Sequence, residues 1–242
     1  MESAVPVEVV PRPAATVLAL RRTGNPFEVL MVRRAREAKF MGGARVFPGG
    51  GVDPADSGPV AAAVVGWSGD IDELPWRAAA LRELAEEVGI LISDGVAEVS
   101  GASGADLYRV LQEASIVLDG DALCYVSNWV TPRGLPKRFD TRFYVVEVPP
   151  DAEARPDRVE VYDPIWVAPR DALAVADAGA WQVEIPTRVH LEMLAAAADL
   201  DEVLRAARRT TPIRVEPRLS VDDAGAWSAL LPGDPGYEEA SP

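Results

Sequence analysis

The feature that most constrains this chain is a helix with its ends written into the sequence and an acidic face, Pro75 to Val88. Proline suits a first helical turn, where its missing N–H costs nothing. Gly89 follows the last turn, the usual place for a residue free to adopt a left-handed backbone. In Arg82-Glu83-Leu84-Ala85-Glu86-Glu87-Val88-Gly89-Ile90, the three glutamates stand at i, i+3 and i+4 and so point the same way. Leu81, Leu84 and Val88 form the opposing apolar stripe. Like charges at these spacings cost about a few tenths of a kcal/mol per pair, which a hard divalent cation would convert into coordination. The alternative is a solvated acidic face. A preceding run, Phe47-Pro48-Gly49-Gly50-Gly51, favours the cation, because glycines let backbone carbonyls and amides approach a metal or phosphate closely.

Around this helix the pattern alternates. Ala14 to Arg21 and Phe27 to Arg34 read as strands joined through Thr23-Gly24-Asn25-Pro26, and Ala44 to Phe47 as a further short strand. Residues 57–74 read as an inserted loop with an apolar patch at Ala61 to Val65. Ala105 to Ala114 reads as a helix, followed by strands at Leu123 to Val130, Arg142 to Val148 and Val159 to Val167. The last third turns helical at Arg170 to Ala178, Pro186 to Ala198 and Asp201 to Arg208. Strands on both sides of a central helix, then terminal helices, predict a mixed α/β sandwich.

Composition excludes several classes. A net charge of −14 argues against a general nucleic-acid binder, which needs basic surface. It does not exclude a small phosphate substrate, because a cation can sit between an acidic site and an anion. No stretch approaches the roughly 18 unbroken apolar residues of a membrane helix. Met1 to Pro6 lacks the basic and apolar regions of a signal peptide, so a cytoplasmic location is expected, with no membrane partner. The single cysteine, Cys124, lies in an apolar run and is expected to be a buried, inert thiol. His190 is the only histidine, and a structural or exposed role is expected for it. No serine or cysteine sits in a nucleophile setting, which removes acyl-transfer triads.

The second half of the acidic motif, Arg82 to Ile90, resembles the Nudix signature without a gap, and the first half is similar from Gly50 onward. Where the signature has a glutamate this chain has Asp56, and the stretch from there to Arg82 is far longer than in the signature. Either Asp56 or Glu73 is then available for the supporting contact with the helix that the resemblance implies. The long insertion, the run from Phe40 to Gly50, Trp129-Val130-Thr131-Pro132 and Arg138 to Phe143 resemble the branch that hydrolyses coenzyme A and acyl-coenzyme A. The resemblance implies an α+β fold: a Nudix-type α/β/α sandwich with a mixed central sheet and additional C-terminal helices. The implied domain spans residues 14–215, with 57–74 inserted and 170–208 as C-terminal helices. Residues 1–13 are expected to be peripheral and 216–242 an irregular tail.

The resemblance also implies a hydrolase of diphosphate linkages using Mg²⁺ or Mn²⁺. Glu86 and Glu87 are then the main metal ligands, with Glu83 a ligand or a water-orienting group and the Gly50 carbonyl a further ligand. Arg82 either holds a carboxylate by a bidentate pair or is a surface ion pair. Glu160, in Val159 to Trp166, is a ligand or base in some relatives and otherwise an exposed strand residue; Glu153 is a weaker rival. Arg138 and Arg142, with Arg33, Arg34 and Arg36 behind them, either bind substrate phosphates or charge the strand edges. Coenzyme A is the leading substrate expectation, with ADP-ribose, NADH or a nucleotide sugar as the alternative. A Nudix-fold ligand sensor without catalysis is the reading from another class. A homodimer contact through the helical last third is open.

Overall fold

The computed structural model describes residues 9–23, 26–36, 42–93, 95, 101–221, 225 and 227–240. Gly24 and Asn25 of the first expected turn, and Phe40 and Met41 of the glycine-loop approach, lie outside them. The chain runs β1 (Arg12–Arg21), β2 (Glu28–Arg34), β3 (Arg45–Val46) and β4 (Gly49–Gly51), then α1 (Pro59–Val64), β5 (Val65–Gly66) and α2 (Leu74–Val88). After α3 (Ala105–Glu113) come β6 (Leu118–Asp119), β7 (Cys124–Val130), β8 (Phe139–Glu147) and β9 (Val161–Val167). The C-terminal part holds α4 (Pro169–Asp177), α5 (Ile185–Ala196) and α6 (Leu200–Arg209), then β10 (Ile213–Val215), β11 (Arg218–Val221) and β12 (Trp227–Leu230).

The main sheet is mixed. Its order is β10-β7-β8-β1-β2-β3, with β4 also on β1 and β9 also on β2. β1 runs parallel to β8, while its early residues pair antiparallel with β4 and its late ones with β2. Successive residues of the central strands alternate between two cores, as the pleat requires. Val17, Ala19, Leu30, Val32, Tyr144 and Val146 face α2 and α3. Leu18, Leu20, Val29, Met31, Phe143 and Val145 face α5 and α6. Burial on both faces explains why these strands read as continuous apolar runs. The architecture is the expected α/β/α sandwich.

α2 keeps its written ends. Pro75 lies in its first turn, and Gly89 caps it at φ 69° with its N–H bonded to the Ala85 carbonyl at 2.9 Å. Leu81, Leu84 and Val88 enter the core as expected.

Four expectations are corrected. Residues 57–74 are not a plain loop: α1, β5 and a short 3₁₀ turn form there, because Ala61, Val64 and Val65 have a core to enter. The start of the chain is less peripheral than expected, because β1 already begins at Arg12, whose N–H bonds the Arg138 carbonyl at 2.9 Å. The tail contains the antiparallel hairpin β11–β12, whose backbone groups pair with each other despite its polar composition. Cys124 is half-buried rather than buried. His190 is structural: it stacks on Phe143 at 4.2 Å, contacts Ser127 and the Pro186 carbonyl at 2.7 and 2.6 Å, and burial lowers its pKa to about 4. Among the described residues, no helix is long and apolar enough to cross a membrane.

Candidate active site

β4 and α2 build the site. Gly49 to Gly51 pair with Ala14 to Thr16 of β1, and the glycines bring this backbone against the acidic face of α2. Gly49 has φ 153°, and a Cβ there would meet the Ala15 carbonyl oxygen at 2.3 Å. A Cβ on Gly50 would lie 2.5 Å from Glu83 Oε1. The Gly49 N–H donates to Glu87 Oε2 at 2.9 Å. Glu83 and Glu87 are 9 and 3% exposed, which rules out the solvated acidic face.

Arg82 organises the carboxylates. Its Nε and Nη2 grip Asp56 at 2.8 and 3.0 Å, the bidentate geometry of a strong charged pair. Nη2 also donates to the Gly51 carbonyl at 2.8 Å, while Nη1 donates to Glu83 at 2.8 Å and Glu86 at 3.2 Å. Burial works against the charged guanidinium, yet Asp56, Glu83 and Glu86 together hold its pKa above the arginine norm. The choice between Asp56 and Glu73 is thereby settled. Asp56 is 0% exposed on the Arg82 fork, whereas Glu73 sits near Arg77 and Arg142 at 3.4 and 3.7 Å. A turn capped by Asp53, whose N–H donates to Asp56 Oδ2 at 2.7 Å, places the shorter side chain within reach.

Burial raises the pKa of all three helix glutamates. Glu83 is pushed up to about 7, with Arg82 opposing and Glu86 and Glu160 adding to the effect. Glu87 is pushed well above the carboxylate norm by burial and then by Glu83. Glu86 is raised by burial, against the Gly104 N–H and Arg82. Two buried carboxylates one turn apart raise each other's cost of ionisation, which a bound cation lowers.

A scan of family models places residues 10–187 in the NUDIX domain family. The chain belongs to the Nudix family, and it is a Nudix hydrolase. It is 29% identical over 234 residues to "Putative nudix hydrolase 7" of Caenorhabditis elegans, covering 93% of this chain and 73% of that one. A solved NUDIX hydrolase from Alicyclobacillus acidocaldarius aligns with a TM-score of 0.68 and 29% identity, over 84% of this chain and 97% of its own.

Nudix hydrolases generally use divalent metal ions. Among the described residues, no three His, Cys, Asp or Glu side chains close around one point. The donor chemistry of this Nudix site nevertheless fits a hard cation. Glu83, Glu87 and the neighbouring glycine backbone offer only oxygen donors. Glu87's one described hydrogen bond is to a backbone N–H, which leaves its buried charge without a cationic hydrogen-bond partner. Gly50→Ala is expected to displace the Glu83 carboxylate, leave a folded protein, and lower turnover about tenfold or more. Circular dichroism and steady-state rates check this; wild-type turnover would mean that the close approach is unimportant.

The structure brings together some expected residues and separates others. Glu86, expected as a main ligand, turns instead to the Gly104 N–H at 2.6 Å and to Arg82. Its place on the helix face is shared with Glu83 and Glu87, but its carboxylate is drawn to the α3 side. Glu160 is exposed and electrostatically coupled to Glu83 and Glu87. It is placed there because Asp157 and Arg155 bond the last carbonyls of α2, and Asp157 caps the following turn. Glu153 is exposed and pairs with Arg155. Arg34 acts favourably on Glu87, and its buried Nε has no hydrogen-bond partner.

Arg138 is a correction. Its side chain is 3% exposed and is held by the Thr131 and Val9 carbonyls, both at 3.0 Å, and by Glu216 at 2.6 Å, so it ties chain segments together. Arg142 stacks on Trp76 at 3.9 Å, two helical turns before Glu83 and so about 10 Å along the axis. Tyr108, Gly104 and Asp157 were not foreseen. Only their contacts single them out, since none carries a motif.

Proposed function

We propose that this Nudix hydrolase cleaves the diphosphate linkage of a nucleoside-diphosphate-linked compound, with coenzyme A or acyl-coenzyme A as substrate. The observation that carries the reaction is a pair of buried carboxylates beside the glycine strand: Glu83, held by the Arg82–Asp56 clamp, and Glu87, held by the Gly49 N–H. Glu83, Glu87 and the Gly50 carbonyl would hold Mg²⁺ or Mn²⁺. Such an ion supplies charge neutralisation on the phosphate oxygens and lowers the pKa of a bound water. Glu160, exposed and outside the Arg82 network, is assigned to accept the proton of the attacking water. The P–O bond to the leaving phosphate then breaks as the new P–O bond forms. Arg34, half-buried, favourable to the Glu87 charge and with its buried Nε unpartnered, is assigned to a substrate phosphate. Arg142, between Trp76 and Tyr125 rings at 3.9 and 5.2 Å, is assigned to the remote part of the substrate. Glu86 and Arg82 position the other carboxylates.

The coenzyme A assignment is supported by the likeness of the segments around Gly50, Trp129 and Arg138 to that branch, and by the structured insertion in residues 57–74. The test is a panel of coenzyme A, acetyl-coenzyme A, ADP-ribose, NADH and a nucleotide sugar, with Mg²⁺ or Mn²⁺ and with chelator. The expected result is cleavage of coenzyme A to 4′-phosphopantetheine and 3′,5′-ADP, abolished by chelator. Cleavage of ADP-ribose with coenzyme A untouched overturns the substrate. No metal-dependent cleavage of any compound overturns the reaction.

A further inference from the structure

We infer that Tyr108 is a positioning residue of this site: its hydroxyl locks Asp56 in the orientation that clamps Arg82. Asp56 and Tyr108 together do the work of one longer acidic side chain. The inference rests on the reading of α2 as the hydrolytic helix.

Asp56 has two carboxylate oxygens and roughly four acceptor sites, and four donors fill them. Oδ1 takes Arg82 Nε at 2.8 Å and the Tyr108 hydroxyl at 2.5 Å. Oδ2 takes Arg82 Nη2 at 3.0 Å and the Asp53 N–H at 2.7 Å. The carboxylate and the hydroxyl are both closed off from water, since Asp56 is 0% and Tyr108 1% exposed. Arg82 spends its other donors on Glu83, Glu86 and the Gly51 carbonyl. The tilt of the Asp56 carboxylate therefore sets where the guanidinium lies, and the guanidinium sets where Glu83 lies. Tyr108 comes from α3, one turn beyond Gly104, whose N–H holds Glu86. The start of α3 thus reaches the catalytic helix directly at Glu86 and, through Asp56, at Arg82. The signature position occupied by Asp56 is a glutamate in the Nudix pattern. With one methylene fewer, the carboxylate stays nearer its own backbone, and the tyrosine hydroxyl occupies space on its far side.

Four proteins test this: wild type, Tyr108→Phe, Asp56→Glu and the Asp56→Glu/Tyr108→Phe double variant. Phenylalanine keeps the ring in the core and deletes only the hydroxyl. Binding of Mn²⁺ alone is followed by electron paramagnetic resonance, and kcat and KM are measured with whichever panel diphosphate the wild type cleaves. Tyr108→Phe is expected to fold, bind Mn²⁺ about tenfold more weakly, and lose kcat about tenfold with KM within about twofold. A purely structural tyrosine would shift the unfolding midpoint and leave Mn²⁺ affinity and kcat of the folded protein at wild-type values, which overturns the inference. The longer glutamate is expected to impair Asp56→Glu and to fit once the hydroxyl is gone, so the double variant binds Mn²⁺ more tightly than Asp56→Glu alone. A double variant no better than Asp56→Glu overturns the inference even if Tyr108→Phe fails to fold. Loss of Mn²⁺ affinity without turnover of any panel compound keeps Tyr108 and removes the hydrolase reading. Turnover unchanged by Tyr108→Phe does the reverse.

Discussion

Glu87→Gln is expected to lower kcat at least about a hundredfold, as removal of a metal-holding carboxylate should, while leaving the protein as stable as wild type or more so. Glutamine keeps the shape and can still accept the Gly49 N–H bond that Glu87 makes at 2.9 Å. What it loses is a charge that is 3% exposed and stands beside Glu83. Burial and Glu83 push the Glu87 pKa up, so its ionised form works against folding at neutral pH. Removing that charge relieves the fold and disables the site. Rates on the panel substrate and thermal melting together read both effects. Turnover within about tenfold of wild type, or a large drop in melting temperature, would sink the assignment of Glu87 as a cation-holding group. Glu86→Gln is expected to cost less, because its carboxylate is held on Gly104 and Arg82 rather than on the glycine strand.

Arg82→Met should produce the largest loss of stability of any single change at the site, about 3–5 kcal/mol by urea denaturation. Arg82 pairs with Asp56, which is 0% exposed and has no route to water when the guanidinium is gone. The double variant Arg82→Met/Asp56→Leu is expected to be more stable than Arg82→Met alone, because removing both members leaves no unpaired charge at the fully buried position 56. A single variant within about 1 kcal/mol of wild type would show that the surrounding protein solvates Asp56 without Arg82. In either variant hydrolysis should be lost, since Glu83 and Glu86 both lose the donor that holds them.

How much of this was legible beforehand depended on the range of the interaction. The bounds of α2 were readable to within a residue, because Pro75 and Gly89 act on the backbone locally. The partner of Arg82 was not, because Asp56 reaches it only after α1, β5 and the turn at Ile71–Glu73 have folded between them. Arg138 carried the same signal as Arg142, a strand arginine beside a phenylalanine. Only the packing of Val9 and Glu216 around it shows that its donors are already used. Tyr108 gave no signal at all, since an apolar helix position and a hydrogen-bonding one look alike when the partner is a distant aspartate.

The acidic helix itself divides along the same line. Its capped ends, its apolar stripe and the common direction of Glu83, Glu86 and Glu87 follow from the sequence alone, because helical periodicity is a property of consecutive residues. Spacing cannot say which of three carboxylates on one face meets which neighbour. The fold decided that by placing the Gly49–Gly51 strand beside Glu83 and Glu87 and the Gly104 N–H beside Glu86. A cation site needs ligands converging from separate elements, and that convergence exists only once those elements are packed.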